Sequence, residues 1–190
     1  MLVPVELYAP RHVLIGTVET GRVRFSDHLN DRTLEQLILG EAWLGDPARP
    51  GAEPRRLAAA NVRKRDVLLA APLDIPGPAV SRPAYVATAG TPIAVSIGPY
   101  EVTGALQLPA GARFEIKRLF GPESGSFVPL SGATVSHAAG AGALARYPTI
   151  LVRADRVAFA GPLAEDGAEQ PFLRTALQYR LRALAGTRDG

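Results

Sequence analysis

The stretch Val62-Arg63-Lys64-Arg65-Asp66-Val67, followed by Ala70-Ala71-Pro72-Leu73, returns 90 positions later as Val152-Arg153-Ala154-Asp155-Arg156-Val157, followed by Ala160-Gly161-Pro162-Leu163. Working outward, Leu39 aligns with Leu130, Val23 and Phe25 with Phe114 and Ile116, Gly16 with Gly104, and Leu14 with Val102. Val5 to Leu73 and Ile93 to Leu163 are thus two copies of one pattern, offset by 88 to 91 positions. A repeat of that length marks two copies of one structural unit. Units of about 70 residues bury only around 60% of their unfolded surface and are marginal alone. The copies are therefore expected to pack on each other or on copies in another chain.

Within each copy the apolar pattern is that of short strands. Val13 to Val18 is an apolar run that ends at the turn signal Thr20-Gly21. Arg22-Val23-Arg24-Phe25 alternates polar and apolar, the period of a half-buried strand. Leu37-Ile38-Leu39 reads as a short buried run, and Asn61-Val62-Arg63 leads into Val67 to Ala71. The second copy offers Ile93 to Ile97, Tyr100 to Leu108, Arg113 to Ile116, Ser126 to Val135, Thr149 to Arg153 and Val157 to Ala160. About five strands in 70 residues predict a small antiparallel barrel or sandwich, and closing a barrel removes exposed edges. The expected fold is mainly β: two tandem small antiparallel β-barrels over residues 1–75 and 93–165, joined by a Pro-rich linker over 76–92. Gly45 to Arg56 reads as a polar hairpin loop, with an Ala/Gly-rich counterpart at Ala138 to Ala145.

After the second copy the period changes. Leu173, Leu177, Leu181 and Leu184 fall at helical spacing, and Pro171 and Gly186 suit the two ends of a helix. An amphipathic α-helix is expected over 169–186, packed on its own barrel or offering its leucine face to a partner.

The chain has 190 residues, no cysteine and a net charge of only +3. That leaves no disulfide framework and no thiol chemistry. No window holds 18 uninterrupted apolar residues, so no transmembrane span is expected. The start, Met1-Leu2-Val3-Pro4-Val5-Glu6, has no basic segment before an apolar one, which argues for a cytoplasmic protein of bacterial type. Nearly all the basic residues are arginines, with Lys64 and Lys117 the two lysines. Combined with abundant Ala, Gly and Pro, this reflects a GC-rich genome better than a nucleic-acid footprint, which shows a denser basic stripe.

Two segments hold candidate binding residues. The first is Arg24-Phe25-Ser26-Asp27-His28-Leu29-Asn30-Asp31. Asp27, His28 and Asp31 could bind a ligand or metal, and a metal-dependent enzyme centred on Ser26 to Asp31 is one functional class to weigh. Ser, Asp and Asn also bond nearby backbone N–H groups and shape turns. On that reading Asn30 or Asp31 caps a short helix over Thr33 to Leu37. The second copy has Arg118-Leu119-Phe120-Gly121 at this place, so only the first could carry such chemistry. The second segment is Arg63-Lys64-Arg65, which could meet phosphates. On an alternating strand Arg63 and Arg65 share one solvated face, and no aromatic residue interleaves to stack a base. His12, His28 and His137 lie in separate segments, and no nucleophile elbow or phosphate-cradling glycine loop is present. No catalytic set, metal site or cofactor is expected.

The segment from Arg24 to Asn30, with Leu39 and Ala42, resembles an uncharacterised bacterial domain family marked by a Ser-Asp-x-Leu-Asn signature. The resemblance covers most of the first copy and extends faintly to the second; it implies no activity. More distantly, Gly21 to Asn30 and Val62 to Val67 are similar to the two motifs of Sm-like proteins, with one residue missing after Asp27 and Lys64 in place of a glycine. That resemblance implies a small bent five-stranded barrel that associates through strand edges. It would set Asp27, Asn30 and Arg63 near an RNA-binding loop pair. The functional expectation is a non-enzymatic binding or scaffold protein that engages a protein partner or forms a homo-oligomer. The contacts would use strand edges, the Leu173 to Leu184 face or the Gly45 to Arg56 loop. RNA or nucleotide binding through Arg63, Lys64 and Arg65 is the alternative.

Overall fold

A computed structural model describes residues 1–49, 51–73, 88–109, 115, 120, 127–138 and 143–163. The helix expected over 169–186, with Leu173, Leu177, Leu181 and Leu184, lies outside the described residues, as do most of the 76–92 linker and the Arg113 to Ile116 strand. The first half contributes strands β1 (Leu2–Tyr8), β2 (Val13–Glu19), β3 (Gln36–Gly45), β4 (Arg55–Arg63) and β5 (Leu69–Pro72), with helix α1 (Phe25–Asn30) between β2 and β3. The second half contributes β6 (Thr88–Ile97), β7 (Tyr100–Pro109), β8 (Phe127–His137), β9 (Ala143–Arg153) and β10 (Val157–Pro162). A 3₁₀ turn precedes the last strand of each half, at Lys64–Asp66 and at Ala154–Arg156. The chain is mainly β. Among the described residues no helix is long and apolar enough to cross a membrane.

The ten strands form one antiparallel sheet in the order β10-β6-β7-β8-β9-β5-β1-β2-β3-β4. Each half is a four-strand meander whose fifth strand returns to pair with its first. The registers agree: Val5 pairs with both Gly16 and Pro72, and Ile93 with both Gly104 and Pro162. Both second strands slip register at the aligned glycine, between Ile15 and Thr17 and between Thr103 and Ala105. A side chain would be crowded there. A Cβ on Gly16 would stand 3.0 Å from the Gly40 carbonyl oxygen, and one on Gly104 would stand 3.2 Å from that of Ser131. Such a bulge bends and twists the strand that carries it.

Where two tandem barrels were expected, the described residues form one continuous, open sheet. β5 is bonded on one side to β1 and on the other to β9, with Leu69 opposite Val152 and Ala70 opposite Leu151. Burial explains the merger. Successive side chains of a strand face opposite sides of the sheet, and at this seam both sides are covered. Tyr8, Leu69 and Ala71 join the core of the second half, while Phe127 and Leu151 join the core of the first. Each half completes its core with strands from the other. A strand buried on both faces carries no polar alternation, which accounts for the run Leu68-Leu69-Ala70-Ala71.

Several local expectations are corrected. Arg22 to Phe25 is not a strand: the chain turns, and α1 begins at Phe25 because Phe25 and Leu29, one helical turn apart, are both buried in the first core. Residues 33–35 form no helix, since Gln36 already starts β3. Leu37 and Leu39 are buried as expected, but Ile38 between them faces out and is 68% exposed. Thr88 to Pro92 belong to β6, paired with Pro109 to Ala105, and not to a linker. Arg65 sits in the 3₁₀ turn, so it does not share a strand face with Arg63.

Candidate functional site

Of the residues singled out by sequence, Asn30 and Lys64 stand at the β5–β9 seam and bond the second half, while Asp27, His28, Arg63 and Arg65 make no bond to it among the described residues. Asn30 ends α1. Its side-chain amide donates from Nδ2 to the carbonyl of Phe127 at 3.1 Å and accepts at Oδ1 from the N–H of Phe127 at 2.8 Å. One side chain thus satisfies both backbone groups of the first residue of β8, as a neighbouring strand would. α1 and β8 also touch elsewhere along this line. The side chain expected to bind a ligand thus bonds the other half of the chain through both ends of its amide.

Asp31 shapes a turn. Its Oδ1 accepts from the Thr33 N–H at 2.9 Å and the Thr33 hydroxyl at 2.7 Å, and these bonds hold its carboxyl below the usual range. Asp27 is exposed, and its Oδ1 meets the Ser26 hydroxyl at 3.4 Å. His28 is half-buried, and its backbone N–H closes the helix onto the Arg24 carbonyl at 3.0 Å. Among the described residues no three His, Cys, Asp or Glu side chains are placed to hold a metal ion.

The basic run separates into one committed lysine and two free-standing arginines. Lys64 is buried, its Nζ donates to the Asp31 carbonyl at 2.5 Å, and its N–H bonds the Glu35 carbonyl at 2.9 Å. Burial pushes its ammonium pKa down. The lysine expected to meet a phosphate is thus turned inward, with its ammonium on a backbone carbonyl. Arg63 and Arg65 are exposed.

Sequence reasoning passed over the residue aligned with Arg63. Arg153 reaches across the seam, where Nη1 donates to the Lys64 carbonyl. Its Nε and Nη2 bind Asp155 at 2.6 and 3.1 Å, a bidentate pair that lowers the Asp155 carboxyl pKa. Its guanidinium also lies 5.7 Å from the centre of the Phe127 ring. On the backbone, the Arg153 N–H donates to the Leu68 carbonyl at 2.9 Å.

Three tyrosines close the other end of the seam. Tyr8 and Tyr147 share a 2.5 Å hydrogen bond between hydroxyls, and Tyr147 donates to Glu6 Oε2 at 2.6 Å. Tyr100 donates to the Ala9 carbonyl at 2.8 Å, and its ring meets that of Tyr8 edge to face at 5.2 Å. Burial is the largest cause that pushes all three hydroxyls well above the ordinary tyrosine value. Above them lies a cavity of about 250 Å³, lined by Glu6, Tyr8, Val13, Asp46, Arg49 and Leu144 among others. A signal for these residues did exist: the positions aligned with Tyr8, Tyr100 and Tyr147 are Ser96, His12 and Leu57. The copies depart from each other where a seam contact stands.

No protein-family model, curated protein or solved structure matches this chain.

Proposed function

We propose that this chain is a non-enzymatic binding or scaffold protein that works through protein–protein contacts along the two open edges of its sheet, β4 and β10. Each half is then a small Sm/SH3-like barrel unit whose fifth strand folds back on its first, and the two units are fused edge to edge. The observation that carries the proposal is the strand order, which ends on β4 at one side and β10 at the other. An unpaired edge presents a row of backbone donors and acceptors and is a ready template for another strand, unless charge, proline or cover blunts it. β10 (Val-Ala-Phe-Ala-Gly-Pro) carries no charge, and Phe159 on it is 55% exposed. The centre of β4, Leu57 to Val62, is also uncharged. The RNA-binding alternative draws less support, because Asn30 and Lys64 are engaged inside the protein, which leaves Asp27, Arg63 and Arg65 exposed from its set.

Amide hydrogen exchange on the protein isolated gently from its own cells tests this. Outward-facing amides of β4 and β10 are expected to exchange slowly in the isolated complex and to lose protection on dilution. Fast exchange of both edges in the fresh isolate overturns the proposal.

A further inference from the structure

We propose that the partner at these edges is a second copy of the chain, added head to tail, with β10 of one copy hydrogen-bonded to β4 of the next. The inference rests on the edge-binding reading and supplies its partner and register. Its basis is the seam already present inside the molecule. There the fifth strand of the first half, β5, pairs with the fourth strand of the second half, β9. Among the described residues, what remains unpaired is one fifth strand, β10, and one fourth strand, β4. The chain therefore carries, once each, both sides of a joint that it has already formed internally.

The internal register transposes directly. Leu69 opposite Val152 and Ala70 opposite Leu151 become Phe159 opposite Val62 and Ala160 opposite Asn61. The backbone is oriented for it. The Lys64 N–H points inward to Glu35, so by alternation those of Arg63 and Asn61 point away from the sheet. The Leu163 N–H points inward to Pro92, so that of Ala160 points away. Their internal counterpart, the Arg153 N–H, is the one that bonds Leu68 across the seam.

The side chains agree. Leu69 is fully buried in the seam, whereas Phe159 at the aligned position is 55% exposed. Pairing with Val62 gives it the apolar neighbour that Leu69 finds in Val152. Arg153 grips the carbonyl of Lys64 in the 3₁₀ turn across the seam. Arg63, aligned with Arg153 and exposed, meets the corresponding Ala154 carbonyl of the next copy. The copy-to-copy joint lacks the other fastenings: Asn30 aligns with Gly121, Tyr8 with Ser96 and Tyr147 with Leu57. It is consequently weaker than the seam and reversible. Because the two surfaces differ, addition is heterologous and yields a ring or an open filament, not a two-fold dimer.

Two proline variants of the full-length chain test the geometry. Ala160→Pro and Asn61→Pro each delete one outward N–H and leave the inward hydrogen bonds in place. Wild-type mass by light scattering should rise with protein concentration. Each variant alone should stay monomeric, and a mixture of the two should stop at a 1:1 dimer, because each brings one intact edge. Arg63→Ala should weaken that dimer about tenfold, the loss typical of one charged hydrogen bond. If thermal melts show a proline variant to be unfolded, Phe159→Asp and Arg63→Glu replace the pair. Self-association by each blocked variant alone would mean symmetric edge pairing and overturn the proposal. So would a wild-type chain that stays monomeric at all concentrations. If β4 and β10 amides are protected in the gentle isolate of such a monomeric chain, another protein or the chain's own residues 164–190 cover the edges. The edge reading then stands and the second-copy inference falls; unprotected edges would remove both.

Discussion

Leu69 and Phe159 stand at the same step of two copies of one strand, and their surroundings are opposite. Leu69 is enclosed between two cores; Phe159 lies more than half in solvent. The strands themselves do not make this difference, since both return to the first strand of their own half in the same register. The difference is that β5 has β9 beside it, together with Asn30, Arg153 and the tyrosines that fasten β9 in place. The two halves share one strand pattern and register, and they differ where the inner joint is fastened.

The comparison breaks most easily at the pair that defines it. Leu69→Ala should cost about 2–5 kcal/mol of folding stability, as expected for a fully buried leucine. Phe159→Ala should change the stability of the monomer by no more than about 0.5 kcal/mol, as is typical of surface positions. Equal losses in urea unfolding would mean that the two edges are not different in kind. Next comes Asn30→Ala, which strands the N–H and carbonyl of Phe127 without partners. A loss of about 2–3 kcal/mol is expected, from the cost of leaving buried backbone groups unsatisfied. The same urea series measures it, and a change below about 0.5 kcal/mol would show that water takes over the amide's work.

The tyrosines sharpen the comparison through pH. Burial raises all three hydroxyls above their ordinary value in the folded chain. The unfolded chain releases these protons near pH 10 while the folded chain keeps them. Their contribution is thus complete below about pH 10 and is lost as pH climbs, at up to about 1.4 kcal/mol per pH unit for each tyrosine. Urea midpoints between pH 9 and 11 should fall accordingly, and Tyr147→Phe should make the fall shallower. Arg153→Ala is expected to cost about 1–2 kcal/mol through its charged hydrogen bond to the Lys64 carbonyl. Arg63→Ala should leave the melting temperature of the monomer unmoved. A small effect belongs to Arg56, whose guanidinium sits 5.9 Å above the exposed Trp43 ring. Its removal should cost about 0.5–1 kcal/mol at most, visible as a small rise in tryptophan exposure to a quencher.

The repeat made most of the strand pattern legible, because aligned glycines and aligned apolar residues repeat for the same steric reasons. Gly16 and Gly104 both face a carbonyl that would crowd a side chain. Periodicity misled where tertiary burial overrode it. Val23 and Phe25 alternate like strand residues, yet Phe25 pairs with Leu29 on a helix face because the core lies beneath both. The sequence singles out Ser26 to Asp31 and Arg63 to Arg65, and both segments contribute residues to the junction between the halves, which no local pattern announces. What a lone sequence does not encode locally is that Asn30 meets Phe127, 97 positions away. The difference between the copies at residue 30, asparagine against glycine, was the available clue, since only one of two joints needs a clamp.

The mutual completion of the cores also has a consequence in time. During synthesis Leu69 emerges long before Val152, its partner 83 positions later. At translation speeds of about 5–20 residues per second, the first half waits roughly 4–16 s with β5 unpaired on one side and its core short of Phe127 and Leu151. In that interval the open side of β5 faces the β4 edges of neighbouring nascent chains, which match β9 in the shared pattern. A polysome making this protein holds sticky half-molecules side by side, and the second half must arrive quickly enough to claim its own seam.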